Sequence, residues 1–282
     1  MEAAMSAFAE ADTIGPQTIE PIVNYLTNDG TEVFTYTGGP GSLDVRTGGK
    51  QDPHQVVMHN GRPHVNEFNL EVDGFRFARH ETKMQNFLDE VEVKRVYYPE
   101  MEALIKAESG AKRVVVFDHT LRTADDAVRE QQKIREVVRR AHNDYTEWSG
   151  PQRVRDILPD EADELLKRRF AIIQVWRPIR YPVETHPLAI ADARSVSFDD
   201  FIISERRYPD RIGQTYAVAY NPNHKWFWFP HQARNEALVF KVYDSAKDGR
   251  ARWTAHTAFD DPTSTPASRP RESIEIRTLA FF

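Results

Sequence analysis

His142-Asn143-Asp144 is the only place in the chain where a histidine stands two residues before a carboxylate. Residues two apart in an extended segment share a face, so this imidazole and this carboxylate can converge on one point. Roughly one or two such triplets arise by chance in a chain of this composition, so position has to discriminate. The triplet follows an extended run, Val137–Ala141, and precedes a β-prone half that ends with His256 inside the run Arg252–Phe259. Two histidines and a carboxylate fill one face of an octahedron and leave three positions open. That donor set suits iron(II) working with a bidentate 2-oxo acid and O2. Fifteen residues past His256 comes Arg271-Glu272-Ser273, the only Arg-x-Ser in the chain. A guanidinium pairs bidentately with a carboxylate, and a hydroxyl on the same strand face adds a hydrogen bond. Arg271 and Ser273 are therefore the candidate anchor for the distal carboxylate of 2-oxoglutarate.

Each of these residues also has a plainer reading. His142 and Asp144 could be an imidazole–carboxylate loop pair, His256 a satisfied core histidine, and Arg271 a surface partner of Glu272 or Glu275. The order His-x-Asp, His, Arg-x-Ser is what favours the metal reading. His119, at the end of the apolar run Lys112–Phe117, is the rival ligand or a pocket-lining residue. Trp176-Arg177-Pro178 follows another apolar run, and Arg177 either pins an acidic substrate or ties down a loop. The aromatic residues from Tyr216 to Phe229 wall a pocket or fill a sheet core. His54, His59 and His64 are five apart, which matches neither helix nor strand, so a turn-rich surface is expected there. Gly38–Gly41 lacks the Lys-Ser/Thr of a phosphate loop, and neither Gly-x-Ser-x-Gly nor His-Glu-x-x-His occurs.

The elements that must position these residues can be read in outline. The 282 residues are 40% hydrophobic and 28% charged, enough to bury a large core. With no cysteine, zinc fingers, iron–sulfur clusters, catalytic thiols and disulfides are excluded. A net charge of −6 with scattered basic residues argues against nucleic acid. No signal peptide or apolar span is visible, so a cytoplasmic protein without membrane contact is expected. Pro99 and Gly110 bracket a helix at Met101–Glu108. Further helices are expected over Ala124–Arg135, Gln152–Leu158 and Asp160–Arg169, the last capped by Asp160. From residue 170 onward seven β-prone runs follow one another: Phe170–Ile179, Leu188–Ala191, Gln214–Tyr220, Lys225–Phe229, Ala237–Tyr243, Arg252–Phe259 and Ser273–Phe281. The expected fold is α+β, a single domain over 1–282 with a double-stranded β-helix (jelly roll, cupin-like) core and flanking helices. Its main strands are expected in 137–282. Residues 1–20 are expected to form a loose arm or the oligomer contact of a homodimer.

The chain also resembles a known family through Phe117-Asp-His-Thr-Leu-Arg122, Ala141-His-Asn-Asp-Tyr-Thr146, Gly150-Pro-Gln-Arg153, Val175-Trp-Arg-Pro178, Glu236-Ala-Leu-Val-Phe-Lys241 and Gly249–Pro262 continuing to Arg277. These segments are similar to the fungal and bacterial non-haem iron 2-oxoglutarate-dependent oxygenases related to gibberellin desaturase, the cephamycin methoxylation component and the aspergillic acid hydroxylase. The likeness covers roughly residues 55–280. It implies a jelly-roll enzyme using Fe(II), 2-oxoglutarate and O2 to hydroxylate or desaturate a small secondary metabolite. The chain has His142-Asn-Asp-Tyr145 where relatives tend to have His-Val-Asp-Gln. Asn143 is expected to point away from the metal, and Tyr145 joins Trp176, Arg177 and His119 as candidate substrate contacts. The alternative is a non-redox metal-dependent hydrolase or epimerase on a similar barrel, active without oxygen or a 2-oxo acid. A binding protein that turns nothing over is the third reading, and the complete set of metal and arginine candidates argues against it.

Overall fold

The computed structural model describes residues 15–36, 45–132 and 134–282. Apolar residues alternate along Phe170–Pro178: Phe170, Ile172 and Trp176 enter one core, Ala171, Ile173 and Val175 another. A strand buried on both faces must be covered by two layers, and that decides the architecture. Five antiparallel strands, ordered Phe75–Arg79, Glu236–Asp244, Phe170–Pro178, Glu272–Phe281 and Arg113–Thr123, form the smaller sheet. Its outer face lies under the helix Tyr98–Ser109, which inserts Met101, Leu104 and Ile105. Pro99 stands at the start of that helix, and Gly110, at φ 75°, takes the left-handed conformation that ends it.

The inner face of the smaller sheet packs on a ten-stranded sheet. Edge to edge it runs Thr18–Ile19, Met58–Asn60, Trp226–Trp228, Leu188–Ala191, His256–Ala258, His142–Asn143, Ile212–Val218, Phe201–Arg207, Val33–Tyr36 and Val45–Thr47. Between the sheets lie Phe68, Phe75, Ile172, Ile190, Phe227, Leu238, Phe240 and Leu279. This is the expected jelly-roll core, and the helix Ser149–Ile157 packs Val154 and Ile157 into it. The two-stranded ribbon Ile22–Leu26 and Gln51–Gln55 covers the far side of the larger sheet, over Trp226 and Trp228.

Several elements depart from the sequence reading. Besides strands in 137–282, both sheets recruit strands from before residue 137. Thr18 and Ile19 of the expected loose arm pair with His59 and Met58; residues 1–14 and the Gly38–Gly41 turn lie outside the described residues. The helix expected over Asp160–Arg169 is a single turn, Ala162–Leu165, preceded by Glu161 with no side-chain cap. The surface helix expected near 124–135 is Asp126–Gln132. The apolar run Lys112–Phe117 belongs to a longer strand, Arg113–Thr123, and that places His119 inside it.

Candidate metal centre

Two of the candidate residues meet because their strands do. His142 and His256 are direct cross-strand partners in the larger sheet, with ring centroids 4.3 Å apart. Asp144 lies just past the end of the same short strand, its Oδ1 3.4 Å from His142 Nε2. One ligand atom from each of the three lies within 4.8 Å of the others. The two imidazoles are held alike. His142 Nδ1 donates to the Arg140 carbonyl at 2.7 Å and His256 Nδ1 to the Thr254 carbonyl at 3.0 Å. Each bond puts a proton on Nδ1, so the lone pair of a neutral ring lies on Nε2. His256 Nε2 is buried and has no hydrogen-bond partner in the structure.

The charge states fit a cation. Burial, reinforced by His142, pushes the His256 pKa down to about 3, so the ring is neutral. Burial would raise the Asp144 pKa, but Arg277 first, then His142 and His256, hold it well below the ordinary carboxylate range. A neutral imidazole with a buried free lone pair beside an ionised carboxylate is the protonation state that metal binding requires. The donor set, two nitrogens and one oxygen, matches iron(II).

Asp144 reaches across to the other sheet. Its Oδ2 accepts from Gln174 Nε2 at 2.7 Å and from Arg277 Nε at 3.2 Å. Arg277 in turn donates to Asp118 (3.0 Å), Thr120 (2.8 Å) and Glu275. A narrow cleft beside the triad is lined by His142 and His256 together with Arg122, Trp176, Arg271 and Glu275. Arg271 is buried, lies 5.3 Å from the Trp176 ring centroid, and donates through Nη1 to the His186 carbonyl at 2.6 Å. Its Nε and the Ser273 hydroxyl are both buried without partners. A carboxylate is the group that would satisfy both.

The remaining candidates separate by sheet face. Trp176 is at the cleft, as the flat surface against Arg271. Tyr145 is in the inter-sheet core next to Asp144, under the Arg153 guanidinium at 5.9 Å, with burial raising its pKa to about 12. Asn143 points away from the triad and donates to the carbonyls of Tyr145 and Val242. His119 and Arg177 are not brought to the site. His119 sits opposite Ile276 on the helix side and bonds Tyr98 at 2.9 Å. Arg177, opposite Ile274 on that same side, bonds the His80 carbonyl at 2.8 Å. His54 stacks on Tyr220, while His59 borders a larger cavity of about 440 Å³ with Phe68, Lys225 and Phe227. The sequence reading had no place for Gln174 or Arg277. The available signals were a lone amide inside the apolar run Phe170–Trp176 and an arginine six residues after Arg271, on the same strand face.

Comparison with known proteins agrees with this geometry. A family model described as an oxidoreductase/YMDC permease-like domain matches residues 23–281. No described helix is long and apolar enough to cross a membrane. The chain is 35% identical to the alpha-ketoglutarate-dependent dioxygenase phiK of a fungal species, over 77% of this chain and 80% of that one. It is 33% identical to the hydroxylase/desaturase CTB9 of Cercospora beticola, over 83% and 78%. Among solved structures, the iron and alpha-ketoglutarate-dependent endoperoxidase NvfI superposes with a TM-score of 0.84 at 27% identity, covering 95% of this chain and 99% of that one.

Proposed function

The chain belongs to the Fe(II)/2-oxoglutarate-dependent dioxygenases, and from that premise we propose that His142, Asp144 and His256 hold the iron while Arg271 and Ser273 seat the distal carboxylate of 2-oxoglutarate. The observation that carries the assignment is the buried, partnerless Nε2 of His256, facing one imidazole and one ionised carboxylate beside an arginine-lined cleft. Iron(II) bound there with 2-oxoglutarate and O2 supplies the oxidation of an unactivated C–H bond, coupled to release of succinate and CO2. The substrate is a small secondary metabolite, and the outcome is hydroxylation or desaturation.

The residues of the chain contribute orientation and dryness. The Nδ1–carbonyl bonds of His142 and His256 keep both Nε2 atoms turned to the same point. The Trp176 ring against Arg271 and the Phe240 ring, 4.9 Å from His256, give the buried donors apolar neighbours. Arg271 is a planar cation already fixed in place, so little entropy is lost when a carboxylate meets it. A net charge of −6 supports a reading without nucleic acid, and the lack of cysteine accords with a reducing cytoplasm. Sedimentation decides between a monomer and a homodimer.

The test is succinate formation from 2-oxoglutarate under air, together with anaerobic Mn(II) uptake, for the wild type and for His142→Ala, Asp144→Ala and His256→Ala. Loss of both in each variant is expected. Unchanged uptake and turnover in any one variant removes that residue from the set.

A further inference from the structure

Gln174 and Arg277 are direct cross-strand partners on the inner face of the smaller sheet. Both donate to the same atom, Asp144 Oδ2, and neither touches Oδ1, the oxygen that faces His142. Resting on the ligand reading above, we propose that Gln174 and Arg277 are positioning residues. They bind one oxygen of Asp144 so that the carboxylate offers a metal a single oxygen at a fixed angle.

The geometry of the partners supports this role. A carboxylate has about four lone-pair sites. Two donors at 2.7 and 3.2 Å occupy Oδ2, and a bidentate carboxylate would have to give up at least one of them. The amide of Gln174 can have only one orientation, since an oxygen turned toward Asp144 would meet another acceptor. Arg277 is itself fixed at its other nitrogens by Asp118, Thr120 and Glu275, so its Nε cannot follow Asp144 if the carboxylate rotates. Glu275, two residues away on the same face, thus acts at one remove: it holds the arginine that holds the ligand. Monodentate binding by the acid keeps three positions of an octahedron open, whereas bidentate binding would close one of the three that a chelating 2-oxo acid and O2 need. Groups hydrogen-bonded behind a ligand typically govern metal affinity by about 10–100-fold.

The test uses the whole chain and Mn(II) as probe. Gln174→Leu and Arg277→Lys keep side-chain volume, and thermal melting identifies variants that fold. Mn(II) affinity is read by the EPR signal of the free ion, and 2-oxoglutarate affinity by calorimetry on Mn(II)-saturated protein. A folded variant with Mn(II) affinity weakened about tenfold or more supports the positioning role. Two results overturn it: Mn(II) affinity equal to wild type in both folded variants, or a loss confined to 2-oxoglutarate, which would make Arg277 a cosubstrate contact. Wild-type protein that takes up no Mn(II) overturns the ligand reading and this one with it. Uptake lost in His142→Ala but intact in both positioning variants overturns only the second.

Discussion

Replacing Arg271 by Met should separate cosubstrate binding from stability. In the free protein this guanidinium has one hydrogen bond, to the His186 carbonyl, and its Nε has none. Burial, and then the neighbouring Arg122 guanidinium, work against its charge and push its pKa down. The charge therefore destabilises the ligand-free fold, and removing it should leave the melting temperature of the apo protein unchanged or higher. With 2-oxoglutarate the balance reverses. Two hydrogen bonds to a charged carboxylate are worth about 1.5–3 kcal/mol each. Their loss should weaken 2-oxoglutarate binding by about 10²–10⁴-fold. Calorimetry on Mn(II)-loaded protein measures this, with pyruvate, which has no distal carboxylate, as the control. Pyruvate should bind wild type and variant alike. A 2-oxoglutarate affinity within about threefold of wild type, or a parallel fall in pyruvate binding, would remove Arg271 as the carboxylate anchor.

Three further outcomes follow from the packing. Gly74 sits at φ 85°, and a Cβ there would lie 2.3 Å from Thr254 Oγ1, whose backbone carbonyl holds His256. Gly74→Ala should therefore cost about 1–3 kcal/mol in denaturant titration and weaken Mn(II) uptake as well. Burial lowers the pKa of His224 despite Asp200 at 3.1 Å, so the native ring stays neutral where the unfolded chain takes up a proton. Stability should fall as pH drops below the ordinary histidine value of 6.5, by up to about 1.4 kcal/mol per pH unit from this group. His224→Gln should flatten that part of the slope in urea midpoints taken between pH 7 and 5. Arg177 lies across the sheet from the cleft, so Arg177→Met should leave Mn(II) and 2-oxoglutarate affinities at wild-type values in folded protein, as calorimetry will show.

What the sequence revealed depended on how far apart the cooperating residues are. His142 with Asp144, and Arg271 with Ser273, are two apart, and the period of a strand puts them on one face without further information. His256 is 112 residues beyond Asp144 and was reachable only because the β-rich second half implies a closed sandwich. Gln174 and Arg277 escaped notice because their partnership is a matter of register, and register is not written in either strand alone. The same limit explains His119. The run past Phe117 looks too polar to continue a strand, but Asp118 and Thr120 are satisfied by Arg277 on one face and His119 by Tyr98 on the other. Val137–Ala141 shows the opposite case: an extended run that pairs only through an isolated bridge from Arg140 to Asn24, while the strand of the sheet begins after it, at His142–Asn143. Trp176, placed near the site by the sequence, lines the cleft with its ring centroid 5.3 Å from the Arg271 guanidinium.

The triad straddles the seam of the sandwich. Its two histidines belong to one sheet, while the carboxylate is moored to neighbouring strands of the other. A cation held there rivets the two layers together, and they cannot slide past each other without tearing it loose. At about one hundred times its dissociation constant such an ion adds about 2.7 kcal/mol to the folded state. Without that ion the two layers lose one tie, so the metal-free enzyme should be the more readily cut by proteases.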